Sequence, residues 1–279
     1  MWDRRQQICC DTVAMISDQR LAPALDDPDP DDGCVPLPAV GRAFTGRRKV
    51  RLGDVSPNGR LRFDALARFA QDVSNDDTVD AGLEDDMAWV VRRTVVEVHT
   101  EARFREELEL TTFCGGIGSR WAERRVQVRG AEGAEIELAT LWVHLDMDTG
   151  RPLKLPPQFH ELYAEAAGGR KVRAKLRHGD PPADGIEPEA WPLRFSDFDV
   201  LDHVNNAVSW AAVEEARAPR RHLRAPVRAE IEYRAPIERG HEVVRLAQDH
   251  EGGGLSLWLV DAADHRTVYT SARVLPLPA

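Results

Sequence analysis

The sequence has few cysteines and no long apolar segment, and both absences narrow the class of protein. Its cysteines are Cys9, Cys10, Cys34 and Cys114. The first three fall in a poorly patterned N-terminal segment, so neither a disulfide framework nor a zinc-binding spacing is present. No run approaches the roughly 20 apolar residues of a membrane-spanning helix, and charges interrupt the start of the chain, where a secretory signal needs an apolar block. We therefore expect a cytoplasmic protein with reduced thiols, outside the membrane.

Recognisable cofactor motifs are also missing. The triplet Gly252-Gly253-Gly254 lacks the strand-to-helix context and the following lysine of a phosphate-binding loop. Three histidines are scattered near predicted turns, which is more typical of solvated loop residues than of metal ligands: His241, His250 and His265. We expect neither a cofactor nor a metal.

The chain is acidic, with a formal net charge of −10, which disfavours bulk binding to nucleic acid. It nevertheless contains three basic islands, which are Arg47-Arg48-Lys49 with Arg51, Arg120 with Arg124 and Arg125, and Arg170-Lys171 with Arg173, Lys175 and Arg177. Each island is either solubilising surface or a docking point for an acidic partner.

Composition divides the chain into four segments. Residues 1–46 include an acidic, proline-bearing stretch without apolar periodicity, so we expect a disordered or loosely attached tail. Residues 47–150 read as a strand, a long amphipathic helix and several antiparallel strands, an α+β pattern. Residues 151–189 are rich in proline and predict a linker with one short helix near 159–167. Residues 190–279 then form a second α+β unit.

The second unit repeats the order of elements of the first. Aligning Asp54-Val55 with Asp199-Val200 places Asn58 opposite His203 and brings the two predicted helices into register. Two copies of a strand, a buried helix and an antiparallel sheet predict a body with pseudo-twofold symmetry. Two unrelated α+β domains are the alternative.

Polar residues concentrate in the stretch 193–206, between an extended run and the apolar helix that contains Trp210. Individually they have ordinary explanations, because asparagines cap helices, aspartates form turns and a histidine can be a satisfied core residue. Together they aim polar side chains at a helix N-terminus, where free backbone N–H groups stabilise negative charge. The candidate catalytic residues are Asp199, His203, Asn205 and Asn206.

The order Asp-Phe-Asp-Val-Leu-Asp-His-Val-Asn-Asn, followed by an apolar helix with a tryptophan, resembles the D-x-D-x-x-x-H-V-N-N signature of hotdog-fold thioesterases. It is most similar to the acyl-acyl-carrier-protein thioesterases of bacteria and plants. The resemblance implies an α+β tandem double hotdog, in which each half is a long helix wrapped by an antiparallel sheet, from about Arg47 to the C-terminus. It also implies hydrolysis of fatty-acyl thioesters in fatty acid biosynthesis.

The resemblance assigns roles to residues of both halves. Asp199 would activate water or attack the thioester directly, and His203 would orient that water, polarise the carbonyl or protonate the leaving thiolate. Asn205 and Asn206 would hold the turn. The residues expected to line or close the acyl tunnel are Phe63, Leu66, Phe69, Val73 and Trp89, although plain core packing is the commoner explanation of such a stripe.

The sequence also departs from the plant pattern. Leu201 stands where the plant enzymes have asparagine, and Pro236 and Ile237 stand where they have an acid and a cysteine. Catalysis would then rely on fewer groups, borrow Glu232, Glu238 or a first-half carboxylate, or be lost. The alternatives are therefore an acyl-coenzyme A thioesterase and an inactive acyl-binding or regulatory protein.

A hotdog dehydratase would need a histidine and an acid placed to abstract a proton beside the carbonyl, and the order seen here favours hydrolysis. The expected partner is an acidic acyl carrier protein docking on the basic islands, or else an acyl-coenzyme A, with no nucleic acid and no membrane. A monomer or a homodimer is compatible with two hotdogs in one chain.

Overall fold

The computed structural model describes residues 35–83, 88–146 and 149–278. Ten strands form one antiparallel sheet in the order β1-β3-β4-β5-β2-β7-β10-β9-β8-β6. The strands are β1 Ala43–Lys49, β2 Ala88–Thr100, β3 Glu107–Ile117, β4 Trp121–Gly130, β5 Glu135–Leu145, β6 Glu189–Ala190, β7 Val227–Tyr233, β8 Val243–Asp249, β9 Leu255–Asp261 and β10 Val268–Pro276. The α-helices are α1 Phe63–Asp80, α2 Pro157–Ala167 and α3 Asn206–Arg217.

The two halves of the sheet mirror one another about its centre. Strands β2 and β7 pair from Arg93 opposite Glu232 to Val98 opposite Val227, and each half then adds its remaining strands in the equivalent order. Helices α1 and α3 lie on the same face and share one hydrophobic core, in which the Phe63 ring meets Trp210 edge-on at 5.5 Å between centroids. The predicted α+β double hotdog is confirmed.

The repeat predicted from the sequence is real, but its alignment was wrong by two residues at the turn before each helix. In the first half Ser56 N–H donates to Arg60 O at 2.9 Å, and in the second half Asp199 N–H donates to His203 O at 2.8 Å. The equivalent of His203 is therefore Arg60, not Asn58.

An aspartate has the same hydrogen-bonding role in each half, and this role shows which residues are equivalent. Asp54 accepts the N–H of Arg51 at 2.9 Å, and Asp197 accepts the N–H of Arg194 at 2.8 Å, each closing a short 3₁₀ turn. Asp54 is thus the counterpart of Asp197, whereas Asp199 has the sequence neighbour Val200 that made it look equivalent.

Some of the segments expected from composition agree with the structure, and others differ from it. Strand β1 begins at Ala43, opposite Phe113 of β3, so residues 43–46 belong to the sheet rather than to a tail. Residues 1–34 lie outside the described residues. Helix α2 is the short helix expected in the linker, and its Phe159 and Tyr163 are buried beside Cys114 and Ile117 of β3. The divisions at 150 and 189 stay predictions.

A buried ion pair joins the segment just before α1 to α3. Arg60 donates to both carboxylate oxygens of Glu214 on α3, at 3.0 and 2.6 Å, and each side chain is 7% exposed. The same carboxylate accepts the N–H of Phe63, the first residue of α1, at 2.8 Å. Glu214 thereby satisfies a backbone group that the helix itself leaves unpaired.

We expect Glu214→Ala to lower the free energy of unfolding by about 3–5 kcal/mol, because it leaves the Arg60 guanidinium buried without its partner. Chemical denaturation measures this loss. The control is Glu215→Ala, an exposed neighbour on the same helix, for which we expect a change within about 0.5 kcal/mol. Equal losses in the two variants would contradict the assigned role of the ion pair.

Candidate functional site

The polar stretch forms a tight turn that leads into α3. Asn205 is the N-cap of this helix, and its side-chain oxygen accepts the N–H of Ala207 at 2.9 Å. Asn206 is the first helical residue, and its carbonyl oxygen accepts the hydroxyl of Tyr233 at 2.9 Å. Asn205 therefore has the ordinary capping role, and both asparagines hold the turn against the sheet.

The turn brings the backbones of Asp199 and His203 together. Besides the backbone hydrogen bond between them, Asp199 Oδ1 accepts the N–H of Leu201 at 2.9 Å, and Asp202 has a left-handed φ of 60° that completes the reversal. Both Asp199 and His203 are half-buried. Within the described residues no group hydrogen-bonds the second oxygen of the Asp199 carboxylate, which leaves it able to accept a proton from water.

The residues that replace the polar groups of the plant pattern bring no polar side chain to this turn. Leu201 is 42% exposed at the outside of the turn, and Ile237 is 4% exposed in the core, where only its backbone contributes by accepting the N–H of Val204 at 2.9 Å. Glu238 lies beside His203 through a backbone bridge.

The carboxylate of Glu232 is committed elsewhere. It accepts the N–H groups of Arg177 and His178 at 2.5 and 3.1 Å, on the face of β7 opposite the helices. Side chains alternate along a strand, and Tyr233 already points to α3. Glu232 therefore cannot serve the turn.

The main cavity of the described residues lies in the first half, with a volume of about 260 Å³. One wall is a polar face of α1, and the opposite walls come from the sheet and α2. Its lining includes Gln71, Ser74, Asn75 and Thr78 of α1, with Trp89, Cys114, Ala122, Trp142, Phe159 and Tyr163 around them. Trp89 lines this cavity, and its role in closing an acyl tunnel stays a prediction.

The other predicted tunnel residues do not line this cavity. Phe63, Leu66, Phe69 and Val73 are buried in the core, where α1 packs against the sheet. Hydrophobic periodicity identifies the face of a helix that packs, whereas the cavity lies along a different, more polar face nearer the end of α1. The sequence carried no periodic signal for it.

A narrow second void, of about 20 Å³, lies between α1 and α3. It shares Gln71, Ser74 and Trp142 with the main cavity and also reaches Asn206 and Tyr233. Trp142 Nε1 is buried there without a hydrogen-bond partner among the described residues. The two voids are thus neighbours that share three lining residues, and the narrow one lies at the start of α3.

A buried ionic network closes the cavity beside α2. The Asp77 carboxylate accepts from Arg42 Nε at 2.7 Å, from the Tyr163 hydroxyl at 2.8 Å and from Arg124. Nearby, burial raises the pKa of the Cys114 thiol to about 11, so this cysteine is protonated at neutral pH.

The network also corrects the expected second basic island. Arg124 pairs with Asp77, and Arg125 pairs with Glu123 at 2.8 Å inside the protein, so neither is a docking point. The other islands are partly neutralised, because Arg48 and Lys49 pair with Asp76 and Glu107, and Arg170 pairs with Glu123. Lys171, Arg173 and Lys175 are exposed.

One group of potential metal ligands occurs among the described residues. His178, Glu230 and Glu232 have ligand atoms within 4.8 Å of one another. Arg93 lies 3.8 Å from the Glu230 carboxylate, and burial together with Arg273 lowers the pKa of His178 well below its ordinary value. These arginines already supply positive charge, so the group fits a clamp holding residues 177–178 on the sheet better than a cation site.

No helix in the described part of the chain has both the length and the apolar character needed to cross a membrane.

Comparison with known proteins places this geometry in a family. Models of the acyl-ACP thioesterase N-terminal and C-terminal domains match residues 41–163 and 183–273. An uncharacterized protein of Mycobacterium tuberculosis is 30% identical over 224 residues, covering 80% of this chain and 89% of that protein. A chloroplastic acyl-[acyl-carrier-protein] hydrolase of Cuphea viscosissima is 23% identical over 206 residues, covering 65% of this chain and 49% of that protein.

Among solved structures, the 12:0-ACP thioesterase of Umbellularia californica superposes with a TM-score of 0.68 at 22% identity, covering 84% of this chain and 96% of that one. This likeness concerns the fold. The two family models together span most of the chain, from β1 to the last strand of the sheet. The protein belongs to the acyl-ACP thioesterase family.

Proposed function

We propose that this protein hydrolyses fatty-acyl thioesters of acyl carrier protein to a free fatty acid and the carrier thiol, in cytoplasmic fatty acid biosynthesis. The observation that carries the proposal is the pair Asp199 and His203, which a backbone hydrogen bond joins in the turn at the N-terminus of α3. The narrow void at the start of that helix adjoins the first-half cavity, with which it shares Gln71, Ser74 and Trp142.

The reaction follows from these positions. Asp199 takes a proton from water, whose oxygen attacks the thioester carbonyl carbon. The negative charge that develops on the carbonyl oxygen is stabilised at the N-terminus of α3. The C–S bond then breaks, and the leaving thiolate takes a proton from the protonated imidazole of His203. The proton that Asp199 took from water afterwards restores the imidazolium, directly or through solvent, so both groups return to their starting states. Asn205 and Asn206 keep the turn and the helix start in place.

The acyl chain fits the first-half cavity. Trp89 and Phe159 supply its aromatic walls, and their ring centroids lie 5.5 Å apart. The carrier protein is acidic, so the exposed cations Lys171, Arg173 and Lys175 offer it a complementary surface. One chain already contains both hotdogs, which suits a monomer, and a homodimer is compatible with it.

A second candidate is an acyl-binding or regulatory protein without turnover. Leu201, Pro236 and Ile237 favour it, because none of these side chains offers the polar group of the plant pattern. An acyl-coenzyme A thioesterase is the third candidate and would use the same residues.

We expect Asp199→Asn and His203→Ala each to lower kcat by about 10²–10⁴-fold, because each removes a proton-transfer group. Thiol release from acyl-carrier-protein and acyl-coenzyme A substrates measures this and identifies the carrier. Asp202→Asn is the control, since asparagine tolerates its left-handed backbone. A wild type that binds acyl carrier protein but releases no thiol would support the inactive candidate.

We expect Ala122→Leu to shift the preference to shorter acyl chains, because Ala122 lines the cavity and a larger side chain would occupy part of it. The ratio of kcat/KM across substrates of graded length measures the shift. Ala131→Leu, at the exposed turn after the same strand, is the control. A uniform loss for all chain lengths would argue against an acyl site here.

We expect Cys114 to react slowly with iodoacetamide in the native protein. With its pKa at about 11, roughly one thiol in a thousand is ionised at pH 8, and the rate should rise about tenfold per pH unit. The measurement uses the triple variant Cys9→Ser, Cys10→Ser, Cys34→Ser. A bound fatty acid should slow labelling further, and rapid labelling that a fatty acid leaves unchanged would contradict the assignment.

A further inference from the structure

We propose that Gln71 of α1 completes the active centre of the second half, where its side-chain amide donates a hydrogen bond to the thioester carbonyl oxygen. This inference deepens the proposed function and rests on it. It starts from the pseudo-twofold relation between the halves and uses a contact that is visible in the first half.

This contact is the one that Glu214 makes with the start of α1 and with Arg60. Its Oε1 atom lies 2.8 Å from the N–H of Phe63, the first residue of α1, and 3.0 Å from Arg60 Nη1. The first half therefore shows an oxygen atom bound by a helix N-terminus and by the residue equivalent to His203. In the second half, a substrate carbonyl oxygen would lie between the Asn206 N–H and the side chain that α1 directs to the start of α3.

Gln71 stands at the position in α1 that Glu214 holds in α3. The symmetry brings Gln71 to the start of α3, and the narrow void confirms the approach, because both Gln71 and Asn206 line it. There are therefore two junctions between the halves, the first at the N-terminus of α1 and the second at the N-terminus of α3. At each of them a side chain of the opposite half approaches the start of the helix.

The two junctions differ in what they leave available. Glu214 binds the N-terminal N–H group of α1 and pairs with Arg60, so the first junction is filled. No described residue hydrogen-bonds the Gln71 side chain or the N–H of Asn206. A neutral amide also spares a negatively charged oxygen the repulsion that a carboxylate would exert.

A further observation indicates that an acceptor belongs in this void. The indole N–H of Trp142 is buried beside Gln71 without a partner among the described residues. Buried donors in folded proteins are almost always paired, and this one lines a void, so it is placed to donate to an accepting atom that enters there. The thioester carbonyl is such an atom.

The test compares Gln71→Met with the wild type. Methionine keeps the length of the side chain and removes the amide, so we expect kcat to fall about 10²–10³-fold while KM changes less than threefold, as for loss of an oxyanion donor. Gln158→Met, at an exposed glutamine of α2, is the matched control and should leave kcat unchanged. A Gln71→Met variant with kcat within threefold of the wild type would overturn the proposal.

Gln71→Glu supplies a readout that does not depend on turnover. Its carboxylate should bind the Asn206 N–H as Glu214 binds that of Phe63, so we expect Tm to rise by about 2–4 °C while kcat falls. An unchanged or lower Tm would refute the placement of Gln71. If the wild type itself shows no hydrolysis, the proposed function fails, and the Tm comparison still tests the geometry.

Discussion

The antiparallel pairing of β2 with β7 is the constraint on which the rest of the structure depends. It makes one sheet of two halves and relates them by a pseudo-twofold axis, so α1 and α3 must run antiparallel on the same face. Each helix then presents its N-terminus to the middle of the other. Because a helix N-terminus has unpaired N–H groups and a positive dipole end, each junction needs a polar group from the opposite half or from a ligand.

The two junctions satisfy this need in different ways. At the first, Arg60 and Glu214 form a buried ion pair that also caps α1, which fills the junction. At the second, His203 and Gln71 occupy the equivalent positions without a second carboxylate, and the turn carrying Asp199 is half-exposed beside them. Ion pairing stabilises the assembly of the halves at one junction, whereas the other is available for a substrate. A symmetrical fold thus supports an asymmetrical site.

The sequence predicted the fold class and the turn at Asp199 and His203, because hydrophobic patterning and a compact polar motif are local signals. It read the segments before the helices as strands, whereas 3₁₀ turns form at Leu52–Asp54 and Phe195–Asp197. It misaligned the repeat, since Asp54 and Asp197 are equivalent through their hydrogen bonds rather than through their neighbours. It also placed the tunnel on the packing face of α1. Gln71 belongs to no sequence motif. Its place beside the start of α3 follows from the pseudo-twofold axis, which exists only after the sheet has formed.

The separation between cavity and turn limits how one can affect the other. Ala122 and Cys114 contribute to the volume of the first-half cavity without lining the void at the start of α3, so they can set the space for an acyl chain independently of the chemistry. Gln71, Ser74 and Trp142 line both spaces. A change of side-chain volume at these three residues alters both spaces together, which makes this shared wall the part of the site where acyl selectivity and turnover are coupled.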